Sequence, residues 1–188
     1  MIGIRPVFLF AFVGLLSLPA HGSEPEATGL PQIGSVAPAF GLVPFHSKSA
    51  KDDFIEKVEL DESCGMHPGD TRYVLLSFSD SATLGEDLDI LSSLHRKHDG
   101  VVPIVISVAS ETQPVRDLVG RTRLSFSVLD DQYKIVARRY GATAPFTLLL
   151  DESCRVLGMS NKSLTVDQPR LSKTLQTLLA GNSAELPE

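Results

Sequence analysis

The chain of 188 residues contains two cysteines, Cys64 and Cys154, and no Cys-x-x-Cys pair. Around the first, Cys64-Gly65-Met66-His67 brings a thiol, a thioether and an imidazole together. Soft sulfur donors with an imidazole suit Cu(I), so Cys64, Met66 and His67 are the candidate metal ligands. His67-Pro68-Gly69-Asp70 also has a simpler reading as a turn. His95 and His98 stand three apart near the expected end of a helix, where positive charge is favoured, and that role outweighs a metal site. His46 stands alone. No Ser/His/Asp arrangement, phosphate-cradling loop or carboxylate pair is present to imply another chemistry, and no cofactor is expected.

The chain begins with one basic residue, Arg5, then an apolar run of 12 residues from Val7 to Leu18. Ala20 and Gly22 then supply small residues before a cleavage point. A basic start, a short apolar core and a small-residue exit make residues 1–22 a signal peptide. The run is short for a bilayer span, which disfavours an uncleaved anchor. No cysteine near the cut supports a lipid anchor. Removing 22 of 188 residues leaves 166, one domain's worth, and losing Arg5 takes the net charge from −6 to −7. With a pI near 5.3 and no basic stripe, the chain is a poor partner for nucleic acid. Export to the periplasm or the extracellular space places both cysteines in an oxidising compartment.

Residues 23–32 hold two prolines and a glycine and read as a linker. Residues 182–188 read as a loose tail. Between them, residues 33–181 alternate strand and helix patterns. Tyr73–Phe78 and Val101–Val108 are apolar runs of strand length, the second β-branched enough to be buried on both faces. Leu84, Leu88 and Leu91 line one face of a helix expected over Thr83–Lys97. Further helices are expected over Thr112–Arg121, Gln132–Tyr140 and Gln168–Ala180, the last capped by Asp167 with Pro169 in its first turn. Phe146–Leu150 and Val156–Met159 pair as a hairpin around Asp151–Arg155. This order implies an α/β fold, a mixed sheet with helices on both faces. Leu-Asp-Glu-Ser-Cys occurs at both 60–64 and 150–154, but the flanks differ and no repeat is implied.

Three segments resemble the thioredoxin-like redoxins, namely the alkyl hydroperoxide reductase/thiol-specific antioxidant group and related periplasmic thiol–disulfide oxidoreductases. Gly34-Ser-Val-Ala-Pro-Ala-Phe40 is similar to the family's N-terminal motif. Val74–Phe78 resembles the strand leading into its active site. Phe126–Asp130 with Arg139–Asp151 resembles the segment that carries its cis-proline. The likeness covers roughly residues 33–160 and implies a thioredoxin-like fold, a central mixed β-sheet flanked by helices.

The family's cysteines open the helix after its first active-site strand, where the helix start lowers a thiol pKa. The resemblance puts Thr83 and Glu86 at those two positions, and neither can form a mixed disulfide or a sulfenic acid. Asp80, Ser81 and Thr83 suit a helix cap, and Glu86 and Asp87 a first turn. The family's cis-proline falls on Pro145, with Ala144 before it. Ala144, Pro145 and Thr83 would then form a groove for an extended segment without a reactive thiol. In the family's topology both cysteines map to the opposite end of the sheet, which implies a Cys64–Cys154 disulfide. Such a bridge would close a loop of about 90 residues, with a chain-entropy ceiling of roughly 4–5 kcal/mol.

Three functions follow from the resemblance. The first is a non-catalytic domain that binds a protein or peptide of the cell envelope, with no stable membrane anchor after cleavage. The second is an oxidoreductase or peroxidase using Cys64 or Cys154. The third is a copper-handling protein.

Overall fold

In the computed structural model, residues 29–45, 57–65 and 73–181 are described. The signal segment, most of the linker, the tail, His46, Met66 and His67 lie outside the described residues.

The main sheet has five strands in the order β5-β4-β3-β6-β7. They are β3 (Tyr73–Ser79), β4 (Val101–Ser107), β5 (Ser127–Asp130), β6 (Phe146–Leu150) and β7 (Val156–Ser160). β3, β4 and β5 are parallel, while β6 is antiparallel to β3 and β7 to β6. Every residue of β3 and β6 is buried, as continuous apolar runs require of strands covered on both faces. Along β3, Val74, Leu76 and Phe78 enter one core, and Tyr73 and Leu75 enter the other. That is the two-residue period of a strand. Pro103 sits inside β4 opposite Leu75, one residue before pairing with β5 begins at Ile104. There its missing N–H costs no ladder bond to β5.

One face is covered by α2 (Leu84–Lys97), α3 (Thr112–Arg121) and α5 (Leu164–Leu179), through Leu88, Leu91, Val115, Val119, Leu171 and Leu175. The other face is covered by α1 (Leu60–Gly65), α4 (Ile135–Arg139) and a two-stranded hairpin, β1 (Gly41–Leu42) with β2 (Val58–Glu59). Residues 43–45 run along β5, with Phe45 N–H donating to Val128 O and Asp130 N–H to Val43 O. They cover that part of the sheet edge, which would otherwise present unpaired backbone. Among the described residues no helix is long and apolar enough to cross a membrane.

Two helix boundaries differ from the sequence expectation. α4 spans five residues rather than nine, because Lys134 takes a left-handed conformation at φ 54° and interrupts the chain before it. α5 begins at Leu164, four residues earlier than expected, and Pro169 lies inside it. Val166 and Asp167 N–H both bond the Ser163 carbonyl, and buried Leu164 anchors that first turn. Pro169 is tolerated inside although it removes one amide donor. Asp167 is therefore a buried residue of the first turn and not a cap.

Candidate functional site

The candidate site lies where β3 hands over to α2. Asp80 shapes the turn: its Oδ1 accepts from Ala82 N at 2.9 Å and Thr83 N at 3.0 Å. A carboxylate is favoured there by the helix dipole. Thr83 occupies the N-cap position, but its hydroxyl makes no capping bond, and Asp80 holds the turn that leads into the helix. Glu86 is exposed in the first turn.

Pro145 reaches the same end from the other side. β3 and β6 pair Phe78 with Phe146, so Pro145, one residue earlier, lies beside the last residue of β3. The Ala144–Pro145 bond is cis. Ala144 and Pro145 are half-buried and Thr143 is exposed. Among the described residues no backbone hydrogen bond ties the amides of Thr143 and Ala144. The structure thus gathers Thr83, Glu86, Ala144 and Pro145 at one end of the sheet.

Two further side chains meet Thr83 here. Ser79, at the end of β3, and Asp87, one turn into α2, are 0% and 2% exposed. Ser79 Oγ, Thr83 Oγ1 and Asp87 Oδ2 are all buried without a hydrogen-bond partner. Burial raises the pKa of Asp87 above the ordinary 3.8; the nearby Ser79 and Thr83 hydroxyls counter this, and the Glu86 and Asp80 carboxylates add to it. The hydroxyls lie close enough to act on the carboxyl without reaching good bonding geometry. The sequence assigned Asp87 only to first-turn electrostatics. A two-turn helical projection would have placed it with Leu84, Leu88 and Leu91 on the inner face.

The opposite end holds the sulfurs. Cys64 in α1 and Cys154 in the turn before β7 form a disulfide, with Sγ atoms 2.04 Å and Cα atoms 5.5 Å apart. No cysteine is free. They are 5% and 7% exposed, and beside them opens a cleft of about 240 Å³ lined by Val36, Leu60, Asp61 and Glu152. In the disulfide Cys64 is not a thiolate, so it does not supply the soft ligand that the Cu(I) set needs. Among the described residues no group of three or more His, Cys, Asp or Glu could hold a metal.

The histidines pair within the fold. His95 Nδ1–H donates to Val101 O at 2.7 Å, and His98 Nε2 lies 3.2 Å from Ser172 Oγ on α5. Burial, with the charge of Lys97, lowers the pKa of His98 below 6.5.

No protein-family model and no curated protein matches the chain. Solved structures do. The thiol:disulfide interchange protein DsbE from Chlorobium tepidum superposes with a TM-score of 0.65 at 19% identity, covering 79% of this chain and 99% of that one. AhpC from Mycobacterium tuberculosis gives 0.60 at 18% identity, covering 83% and 97%. A thiol:disulfide interchange protein from Bacteroides sp. gives 0.59 at 18% identity, covering 82% and 94%. With the five-stranded mixed sheet and its helices on both faces, these likenesses establish that the chain has a thioredoxin-like fold.

Proposed function

We propose that this is an exported protein that binds an extended peptide segment at the Pro145 end of its sheet, without thiol chemistry at that end. The observation that carries the reading is the backbone at Thr143–Pro145. It is exposed at Thr143 and half-buried at Ala144 and Pro145, makes no backbone hydrogen bonds at Thr143 and Ala144, and borders a fully formed sheet. Such backbone pairs readily with an added extended chain. Both sulfurs lie at the other end, joined to each other. Export rests on the pattern of residues 1–22 and agrees with a disulfide, which persists in oxidising compartments. The occupant is a protein or peptide of the cell envelope.

The test pans a library of displayed random peptides against the oxidised protein. Selected peptides are then titrated into ¹⁵N-labelled protein. Amide shifts should concentrate at residues 79–86 and 142–147. Ala144→Arg should weaken binding by about tenfold or more, as blocking a central contact does. Shifts confined elsewhere, or unchanged binding by Ala144→Arg, overturn the reading.

A thiol–disulfide exchange activity has one feature in its favour, the cleft beside Cys64 and Cys154. Thiol labelling separates the two. An inert bridge labels only after denaturation and reduction, whereas rapid reduction of the native protein by a dithiol would replace the binding reading with exchange.

A further inference from the structure

Beneath the Pro145 end, three oxygens share one unusual condition. Ser79 Oγ from β3, Thr83 Oγ1 from the N-cap and Asp87 Oδ2 from the first turn of α2 are all shut off from solvent and unpartnered. Buried polar atoms are nearly always paired, and an exception in a native fold calls for a physical explanation. A carboxylate so placed carries a desolvation cost, which the Ser79 and Thr83 hydroxyls offset only in part. A neutral carboxylic acid avoids that cost, and its hydroxyl can turn toward either neighbour.

We propose that Asp87, carried as a neutral acid between Ser79 and Thr83, positions the first turn of α2, and that loss of its proton to solvent loosens that turn. The surface beside Pro145 is then a pH-gated site, formed when Asp87 is protonated and slackened when it ionises. The gating deepens the peptide-binding reading and rests on it; the device itself is read from the junction of β3 and α2.

The groups acting on Asp87 oppose one another: burial and the neighbouring carboxylates raise its pKa, and the two hydroxyls lower it. From β3 it meets the Ser79 hydroxyl, from the preceding turn the Asp80 carboxylate, and from its own helix Thr83 and Glu86. Burial is the largest influence on its pKa and raises it; Glu86 and Asp80 raise it further, and no cation stands among the groups that shift it. A carboxyl whose folded pKa is raised contributes its stability in full below its unfolded value of 3.8 and loses it as pH rises through the folded value. Asp80 Oδ1 is engaged by Ala82 and Thr83 N–H. The backbone that would give is the first turn, where Asp87 N–H bonds Thr83 O at 2.9 Å and Leu84 N–H bonds Asp80 O at 3.0 Å.

The experiment uses the full oxidised chain, ¹³C- and ¹⁵N-labelled, with no peptide present. The Asp87 carboxyl carbon is followed with pH alongside amide exchange at residues 84–88. Asp87 should titrate above the ordinary carboxylate range. Across that titration, exchange at 84–88 should quicken by about tenfold beyond its intrinsic rise, as local opening demands. Asp87→Asn, neutral at every pH and nearly the same shape, should abolish the step. If that variant does not fold, Ser79→Ala serves instead: it removes a hydroxyl that favours the ionised form and should move the step to higher pH. Titration of Asp87 in the ordinary range overturns the proposal. So does an exchange profile without a step, or a step that survives Asp87→Asn.

Binding of a selected peptide is measured separately at pH values on either side of the step. Absence of any binding sinks the groove reading and leaves the gating of α2 tested by exchange. Binding indifferent to the step sinks the gating of the site.

Discussion

The carboxylate of Asp131 is 3% exposed and collects the start of α4. Its Oδ1 accepts from Ile135 N at 2.8 Å and Val136 N at 3.3 Å, and its Oδ2 from Ala137 N at 2.8 Å. These are amides a helix start leaves unpaired, and Lys134, at the N-cap position, makes no side-chain cap. Asp131→Ala would strand the amides of buried Val136 and Ala137, at a cost of about 1–3 kcal/mol. The midpoint of urea unfolding checks this, and Asp131→Asn should recover part of the loss because it keeps one acceptor oxygen. An unchanged midpoint would show that solvent reaches those amides. At this scale the sequence showed the absence of a cysteine pair plainly, since its two cysteines stand at 64 and 154. It did not show Asp87 or Asp131 as buried groups. Acidic residues are ordinarily exposed, and only the approach of other elements shuts them in.

Helices were legible where an apolar face repeats over several turns. α2 and α3 occupy nearly the expected spans because Leu84, Leu88, Leu91, Val115 and Val119 pack on the sheet. α4 was not, because five residues are too few to fix a period, and its length depends on Asp131 and the left-handed Lys134. At its far end Gly141 is the C-terminal glycine the sequence implied, with φ 58°. It is also a point of close approach, since a Cβ there would sit 2.9 Å from Leu30 N. Gly141→Ala should cost more than about 1 kcal/mol, from the left-handed backbone and the clash together. Thermal unfolding tests it. Stability equal to the parent's would show that residues 29–30 yield at no cost.

Across the whole molecule, one covalent bond joins the layer carrying α1 to the turn before β7. Its ends are 90 residues apart in sequence. Cys64→Ala with Cys154→Ala should destabilise by about 2–5 kcal/mol, by freeing a long loop in the unfolded chain. Denaturant unfolding of the oxidised parent and the double variant measures the difference, and a smaller change would mean that the unfolded chain stays compact without the bond. The double variant should keep its peptide affinity, because the Pro145 end lies across the sheet. Lost affinity in a folded double variant would tie binding to the sulfurs.

By itself the sequence determined the alternation of strands and helices, the buried central strands and the absence of a cysteine pair at α2. Those follow from periodicity and from which residues stand where along the chain, which are local properties. The two Leu-Asp-Glu-Ser-Cys segments mark the limit. Residues 60–64 form helix α1, while the same five residues at 150–154 end strand β6 and turn, with Cys154 at φ 56°. Leu150 is held by pairing with Val74 on β3, and Leu60 packs into the core beneath the hairpin. Identical residues have identical propensities, so only their tertiary partners can separate the two conformations. The same partners bring the two cysteines together and bury Asp87 beneath the Pro145 end.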